Sequence, residues 1–227
     1  MPNLYTQNAD GTGAAERLTT SPNQQAAASI TPDGTRVVGT EIAQAARDVV
    51  AFPLAANRPG TSSSPGTSTS PAEPLVHTLF DEGNPEISPD GRYLAYQSNE
   101  SRQFEIYVRP FPRVNDGRWE VSTGGGTRPA WSRDGRELFY LDKANTLMAV
   151  SVQTTGSTFS AGTPRRVFDT PYAAPAYSRT YDVSPAGRRF LMIKESAGAG
   201  QPSATTPATM VVVLNWFEEL KVRVGAR

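Results

Sequence analysis

Ile87-Ser88-Pro89-Asp90-Gly91-Arg92-Tyr93-Leu94-Ala95-Tyr96 reads as a strand, a tight turn and a second strand. Pro89 presets φ at the first central position of the turn, Asp90 accepts from nearby backbone amides, and Gly91 takes the φ that a side chain resists. Tyr93, Leu94 and Tyr96 then have the β-favouring character of a strand packed on both faces, and polar Gln97-Ser98-Asn99-Glu100 stops the run.

Copies of this unit run through the chain. Working outward, they are Ile30-Thr31-Pro32-Asp33-Gly34, Trp131-Ser132-Arg133-Asp134-Gly135 and Val183-Ser184-Pro185-Ala186-Gly187. Aligned on Asp33, Asp90, Asp134 and Ala186, they recur at intervals of 44 to 57 residues, the longer ones carrying inserted loops. Such a repeat holding four short strands is the signature of a propeller blade, which buries both sheet faces against its neighbours. Asp33, Gly34, Asp90, Gly91, Asp134, Gly135 and Gly187 are therefore read as structural turn residues. Ala186 replaces the aspartate in the last turn.

The other strands fall between these turns. Asn3 to Ala9 and Glu16 to Thr20 flank an Asp10-Gly11 turn, and they match the third and outer strands of a blade. Asp48 to Leu54 and Leu75 to Phe80 complete the first full blade, with Ile42 to Arg47 read as its hairpin loop because six residues are too few for a stable helix. Phe104 to Phe111 and Arg118 to Ser122 complete the next. Thr146 to Val152 and Arg165 to Phe168 complete the third, and Arg188 to Ile193 with Met210 to Trp216 continue the fourth. The repeats are thus a partial one at 1–20, then 26–80, 85–122, 129–169 and 177–216, in a single domain spanning 1–227. Arg58 to Pro74 and Ser196 to Thr209 are rich in Ser, Thr, Pro and Gly, cannot bury enough apolar surface to offset ordering, and are expected to be flexible loops. A short helix is expected at Phe217 to Lys221.

The expectation is an all-β propeller of about four blades. Glu16 to Thr20 either supplies the missing outer strand of the last blade and closes the ring, or the chain is the carboxyl-terminal part of a larger propeller.

Composition narrows the function. The chain has 227 residues, a length common for one all-β domain. It carries 22 basic and 22 acidic residues, a formal net charge of +0, so no global field draws a polyanion or anionic membrane, and nucleic acid is disfavoured. Cysteine is absent, which removes disulfides and thiolate metal sites. No stretch approaches the ~20 apolar residues of a spanning helix, and no amino-terminal signal pattern is seen, so a soluble chain without membrane contact is expected.

The turns at Ile87 to Gly91 and Trp131 to Gly135, with Glu105-Ile106-Tyr107-Val108 and Leu4 to Gly11, resemble the WD40-like PD40 repeats of TolB-type propellers, which commonly have six blades. Within that group, Gly124-Gly125-Gly126-Thr127 followed by Pro129 to Gly135, and Leu214-Asn215-Trp216-Phe217-Glu218-Glu219-Leu220, are similar to the carboxyl-terminal propellers of bacterial membrane-anchored serine/threonine kinases. That resemblance implies an extracytoplasmic sensor region. The kinase's own glycine-rich loop, catalytic-loop aspartate and Asp-Phe-Gly are absent, so no phosphotransfer is implied.

No catalytic, cofactor-binding or metal-ligating constellation stands out. A triad or zinc site would need His77, the only histidine, which lies in an apolar outer-strand sequence and reads as structural. No Gly-x-Ser-x-Gly elbow occurs. Gly124 to Gly126 lack the Lys-Ser/Thr that follows a phosphate loop and read as a blade connection. Trp119, Trp131 and Trp216 read as packing between blades. Arg165-Arg166 and Arg188-Arg189 read as solvated strand edges. No cofactor is expected. The preferred function is a noncatalytic binding or sensing module for a protein or small ligand. The alternative is the propeller of a prolyl-oligopeptidase-type peptidase without its hydrolase domain, placed second because few residues follow Trp216.

Overall fold

The structure, a computed structural model, describes residues 3–43, 46–54, 72–155, 158–170, 179–185, 187 and 189–193. All of its secondary structure among these residues is strand, and every pairing is antiparallel. No helix among them is long and apolar enough to cross a membrane.

The first pair is β1 (Tyr5–Thr6) with β2 (Glu16–Arg17). The first full sheet is a meander of β3 (Gln24–Ile30), β4 (Arg36–Ala43), β5 (Ala46–Pro53) and β6 (Glu73–Val76). The second runs β7 (Glu82–Ile87), β8 (Tyr93–Ser98), β9 (Glu105–Pro110) and β10 (Trp119–Glu120). In the third, β11 (Thr127–Trp131), β12 (Glu137–Leu141) and β13 (Thr146–Thr155) are followed by β14 (Thr158–Ala161) and β15 (Arg165–Asp169), both paired to β13. The last is β16 (Tyr181–Val183) with β17 (Phe190–Met192).

Four turns of one geometry join the first and second strands of these sheets. Gly91 N donates to Ser88 O at 2.8 Å, and the same bond links Gly34 to Thr31 at 2.8 Å, Gly135 to Ser132 at 2.9 Å and Gly187 to Ser184 at 2.8 Å. Each of these glycines has φ between 67° and 71°, a region costly for a residue with Cβ. Asp90 Oδ1 accepts from Arg92 N at 3.1 Å and from Ser88 Oγ at 2.6 Å, while Ser88 Oγ accepts from Tyr93 N at 2.9 Å. The hydroxyl is thus the common hub: Ser184 Oγ accepts from Arg189 N at 3.0 Å in the turn whose sequence lacks aspartate.

On the central strands of the second and third sheets the side chains alternate, and both faces find a neighbour. On β8, Tyr93 and Ala95 face the third sheet while Leu94 and Tyr96 face the first, all nearly inaccessible. On β12, Leu138 and Tyr140 face the second sheet and Phe139 and Leu141 face β16–β17. Val37, Val50 and Phe52 turn the other face of the first sheet toward Leu4 and Leu18 beside β1 and β2. This sheet-on-sheet order, first strand to first strand around a common side, is that of a propeller. Among the described residues β2 pairs with β1 and the sheets do not close into a ring, so the propeller these residues form is partial or open.

The chain divides into two compact units, residues 1–6 with 16–195 and residues 7–15 with 196–227. Of the second, Gln7 to Ala15 is described: a turn in which Gly11 N donates to Asn8 O at 3.0 Å and Asp10 Oδ1 accepts from Thr12 N at 2.9 Å.

Four local readings are corrected. Ile42 to Arg47 is mostly strand, because Ile42 pairs with Arg47 and Ala43 with Ala46; extending the hairpin satisfies backbone groups a loop would leave to water. The loop assigned to Arg58–Pro74 ends earlier, since Glu73 and Pro74 belong to β6 opposite Ala51 and Val50. Pro74 is tolerated because β6 is an edge strand beside a register shift. That strand also stops at Val76, leaving His77 to Phe80 outside it, with Leu79 fully exposed. The third sheet has an unforeseen strand, β14, on an extension of β13. Residues 58–71 of the 58–74 loop, the 196–209 loop, the strand at 210–216, the helix at 217–221, Ala186, Arg188 and Trp216 lie outside the described residues.

Candidate functional site

The first strands of the sheets share a defect just before the turn. Register shifts fall between Ala27 and Ser29, Gly83 and Glu86, and Thr127 and Ala130. Asn84 and Arg128 there have φ of 48° and 57°, each preceding a proline that cannot donate to the ladder. Buried Gln97 ties two of these bulges together: its Oε1 accepts from Asn84 Nδ2 at 2.8 Å and from Arg128 N at 3.0 Å. Tyr181 Oη donates to Arg128 O at 2.7 Å and Trp131 Nε1 to Glu86 O at 3.2 Å, joining β16 to β11 and β11 to β7.

The bulges enclose a cavity of about 250 Å³ lined by Ala26, Ala28, Thr40, Asn84, Glu86 and Arg179 among others. Arg179 Nη1 donates to Glu86 Oε2 and, at 3.3 Å, to Pro129 O, and its Nη2 lies 3.8 Å from Asp182 Oδ1. Burial pushes the Glu86 carboxyl up to about 7, with Asp182 adding to the rise and Arg179 opposing it. A larger open depression of about 820 Å³ lies between the Asp90 and Asp134 turns. The smaller cavity is the candidate site because first strands from three sheets and the approach to β16 meet there around a half-buried ion pair.

A second polar cluster occupies the junction of the first two sheets. Arg47 grips Asp81 through Nε at 2.7 Å and Nη2 at 2.5 Å. His77 Nδ1 lies 2.9 Å from Asp48 Oδ2, but the His77 side chain is 70% exposed. Glu82 is 1% exposed; its Oε1 accepts from Thr78 Oγ1 at 2.5 Å and its Oε2 has no partner. Asp48 Oδ1 and Glu100 Oε1 are likewise buried without partners. Burial raises the Glu82 carboxyl to about 7, and Asp48, Asp81 and Glu100 push in the same direction. Among the described residues no three His, Cys, Asp or Glu side chains are disposed to hold a metal ion.

The other sequence candidates scatter. Gly125 N donates to buried Glu105 Oε1 at 2.8 Å and Gly126 N to Phe104 O at 2.7 Å, so these two donors of the glycine run are spent inward. Trp131 and half-buried Trp119 pack between the second and third sheets around Phe159, at ring distances of 6.4 and 5.2 Å. Arg165 pairs with Glu137 at 2.5 Å and Arg166 with Asp169, on exposed strand surface. Hydrogen bonds from Thr31 and then Thr35 hold Asp33 below the usual carboxylate range, and bonds from Ser132 and Arg136 do so for Asp134. The structure thus sets the turn residues apart from the cavity, and sequence reasoning missed the cavity's own Glu86, Arg179 and Asn84 and the buried Gln97 that ties its bulges together. A signal was present: Pro85 and Pro129 stand at the same offset before Gly91 and Gly135.

No family model matches the chain, nor does the sequence of any curated protein. Among solved structures it is similar to TolB from Acinetobacter baumannii, with a TM-score of 0.57 and 14% identity over 81% of this chain and 41% of that one. A puromycin-hydrolyzing peptidase of Mycobacterium tuberculosis gives a TM-score of 0.55 at 19% identity, over 78% of this chain and 30% of that one. The chain therefore spans less than half the length of either. The architecture is that of a β-propeller, and its fold is similar to the propeller of TolB.

Proposed function

We propose that the chain is a noncatalytic binding module whose ligand, a small molecule or a protein segment, enters the cavity between the first strands. The observation that carries this reading is the convergence there of bulged strands and a half-buried Glu86–Arg179 pair, in a fold that hosts binding sites where its strands meet. Among the described residues His77 has Asp48 beside it, while its own side chain is largely exposed, so no enclosed nucleophile and base accompany it. A sensor region of a bacterial membrane-anchored kinase, outside the cytoplasm, is the finer form of this proposal and draws on the sequence resemblance at Gly124 to Gly135.

The second reading, the propeller of a serine peptidase, is favoured by the likeness to the puromycin-hydrolyzing enzyme. Fold alone does not decide between them. The purified chain is to be assayed with aminoacyl, ester and lactone substrates and, in parallel, screened for ligands that raise its melting temperature. The expected outcome is no turnover, with ligand stabilisation of about 2.7 kcal/mol at a hundredfold excess over Kd, lost when Glu86 and Arg179 are both replaced by alanine. Turnover that disappears in His77→Ala would overturn it.

A further inference from the structure

We propose that the cavity takes a protonated amine, an alkylammonium group seated against Glu86, Asn84 and Thr40. The inference rests on the reading of this cavity as the binding site and specifies the chemistry of what enters it.

Charge is the first argument. The charged residues lining the cavity, among those described, are Glu86 and Arg179. Arg179 is already committed: one nitrogen serves Glu86 Oε2 and Pro129 O, and the other faces Asp182. With its guanidinium shared between Glu86 and the exposed Asp182, Arg179 leaves the cavity no net positive charge to hold an anion once Glu86 is ionised, and a cation seated against Glu86 favours that ionised form.

Hydrogen-bonding capacity is the second. Glu86 has two oxygens and Arg179 uses only Oε2. Asn84 spends its Nδ2 on Gln97, so the Oδ1 acceptor is the end that remains. Thr40 lines the cavity with a hydroxyl that also accepts. An ammonium brings three donors and no acceptor, matching a wall of one carboxylate and two neutral oxygens. The remaining lining is small and apolar, Ala26, Ala27, Ala28, Pro85 and Pro129, which suits a methylene stem. At about 250 Å³ the space is below the ~300 to 1,000 Å³ of pockets that enclose a drug-sized molecule, so it fits a headgroup.

The same group can come from a lysine side chain of a protein or from a free small amine, and calorimetry on the full chain separates the sources. The probes are n-butylammonium, a short capped lysine peptide, the same peptide acetylated at Nζ, and butyrate. Binding of either amine is expected, with no heat from the acetylated peptide or butyrate and at least a tenfold loss of affinity in Glu86→Gln. Binding by the peptide alone assigns a protein source and binding by n-butylammonium alone a small amine, and both uphold the proposal. Glu137→Gln, in an ion pair away from the cavity, is expected to bind unchanged. Should Glu86→Gln melt early, Thr40→Val carries the test, with a severalfold loss. Equal binding of the acetylated peptide, unchanged amine affinity in the cavity variants, equal weakening by Glu137→Gln, or no heat from either amine at millimolar concentration overturns the proposal. Preferential binding of butyrate, lost in Arg179→Ala, also overturns it while leaving the binding-module reading standing.

Discussion

Replacing Glu82 by glutamine should stabilise the protein at alkaline pH and change little at acid pH. Glu82 is almost wholly buried, its Oε2 lacks a partner, and the carboxylates of Asp48, Asp81 and Glu100 oppose its ionisation. Its proton affinity therefore rises from 4.5 in the unfolded chain to about 7 in the fold. Because the folded value is the higher one, ionisation costs nothing below pH 4.5; the cost grows as pH rises and is fully present above pH 7. At 1.36 kcal/mol for each tenfold change in proton affinity, that cost is about 3 kcal/mol. Glutamine keeps the acceptor for Thr78 Oγ1 and replaces the orphan oxygen with a donor among acceptors, so most of this is recovered. Urea unfolding of both proteins from pH 4.5 to 8 measures it. Taking the difference between them cancels the similar rise at Glu86. Glu82→Gln should gain about 2 to 3 kcal/mol at pH 8 and lie within about 0.5 kcal/mol of the parent at pH 4.5. A difference that does not vary with pH, or a less stable variant at pH 8, would refute the reasoning.

Asp90→Ala should cost about 0.5 to 2 kcal/mol in chemical denaturation, the range for losing a side-chain cap on a backbone amide, and leave ligand affinity unchanged. Loss of binding at an unchanged melting temperature would make that turn a binding site. Gly126→Ala should cost about 1 to 3 kcal/mol, because the added Cβ would lie 2.3 Å from Ser122 Oγ and 2.8 Å from Ile106 Cγ1 in a closed interior; a thermal melt with no downward shift counts against the packing described at this connection.

The propeller was legible because its signal is local and repeated. A serine or threonine, a glycine and a hydrophobic strand at fixed spacing define each hairpin before any tertiary contact forms. The end of β6 was not legible, since Leu79 and Phe80 look like core residues but follow a polar junction where Thr78 turns to cap Glu82. The extra strand β14 was hidden for a different reason. Its exposed Thr158 and Ser160 flank the single buried Phe159, leaving too short a pattern to distinguish from a loop. The candidate site was the least legible part, because Glu86 and Arg179 are 93 residues apart and meet only once separate repeats have stacked. Asn84-Pro85 and Arg128-Pro129 show the bulges in sequence, but Gln97 as their shared acceptor is a property of assembled sheets.

Phe159 also bears on how the molecule comes apart. Repeat proteins whose units touch only through flat faces tend to open unit by unit. Here a residue carried by the third sheet's hairpin lies 5.3 Å from the Tyr93 ring and 5.2 Å from Trp119 of the second, and Tyr93 Oη reaches back to Thr158 O at 3.5 Å. The hairpin acts as a clasp across the junction. The two sheets it joins should consequently exchange their amide hydrogens as one cooperative block, later than β16–β17 and β1–β2, whose ladders run for three and two residue pairs.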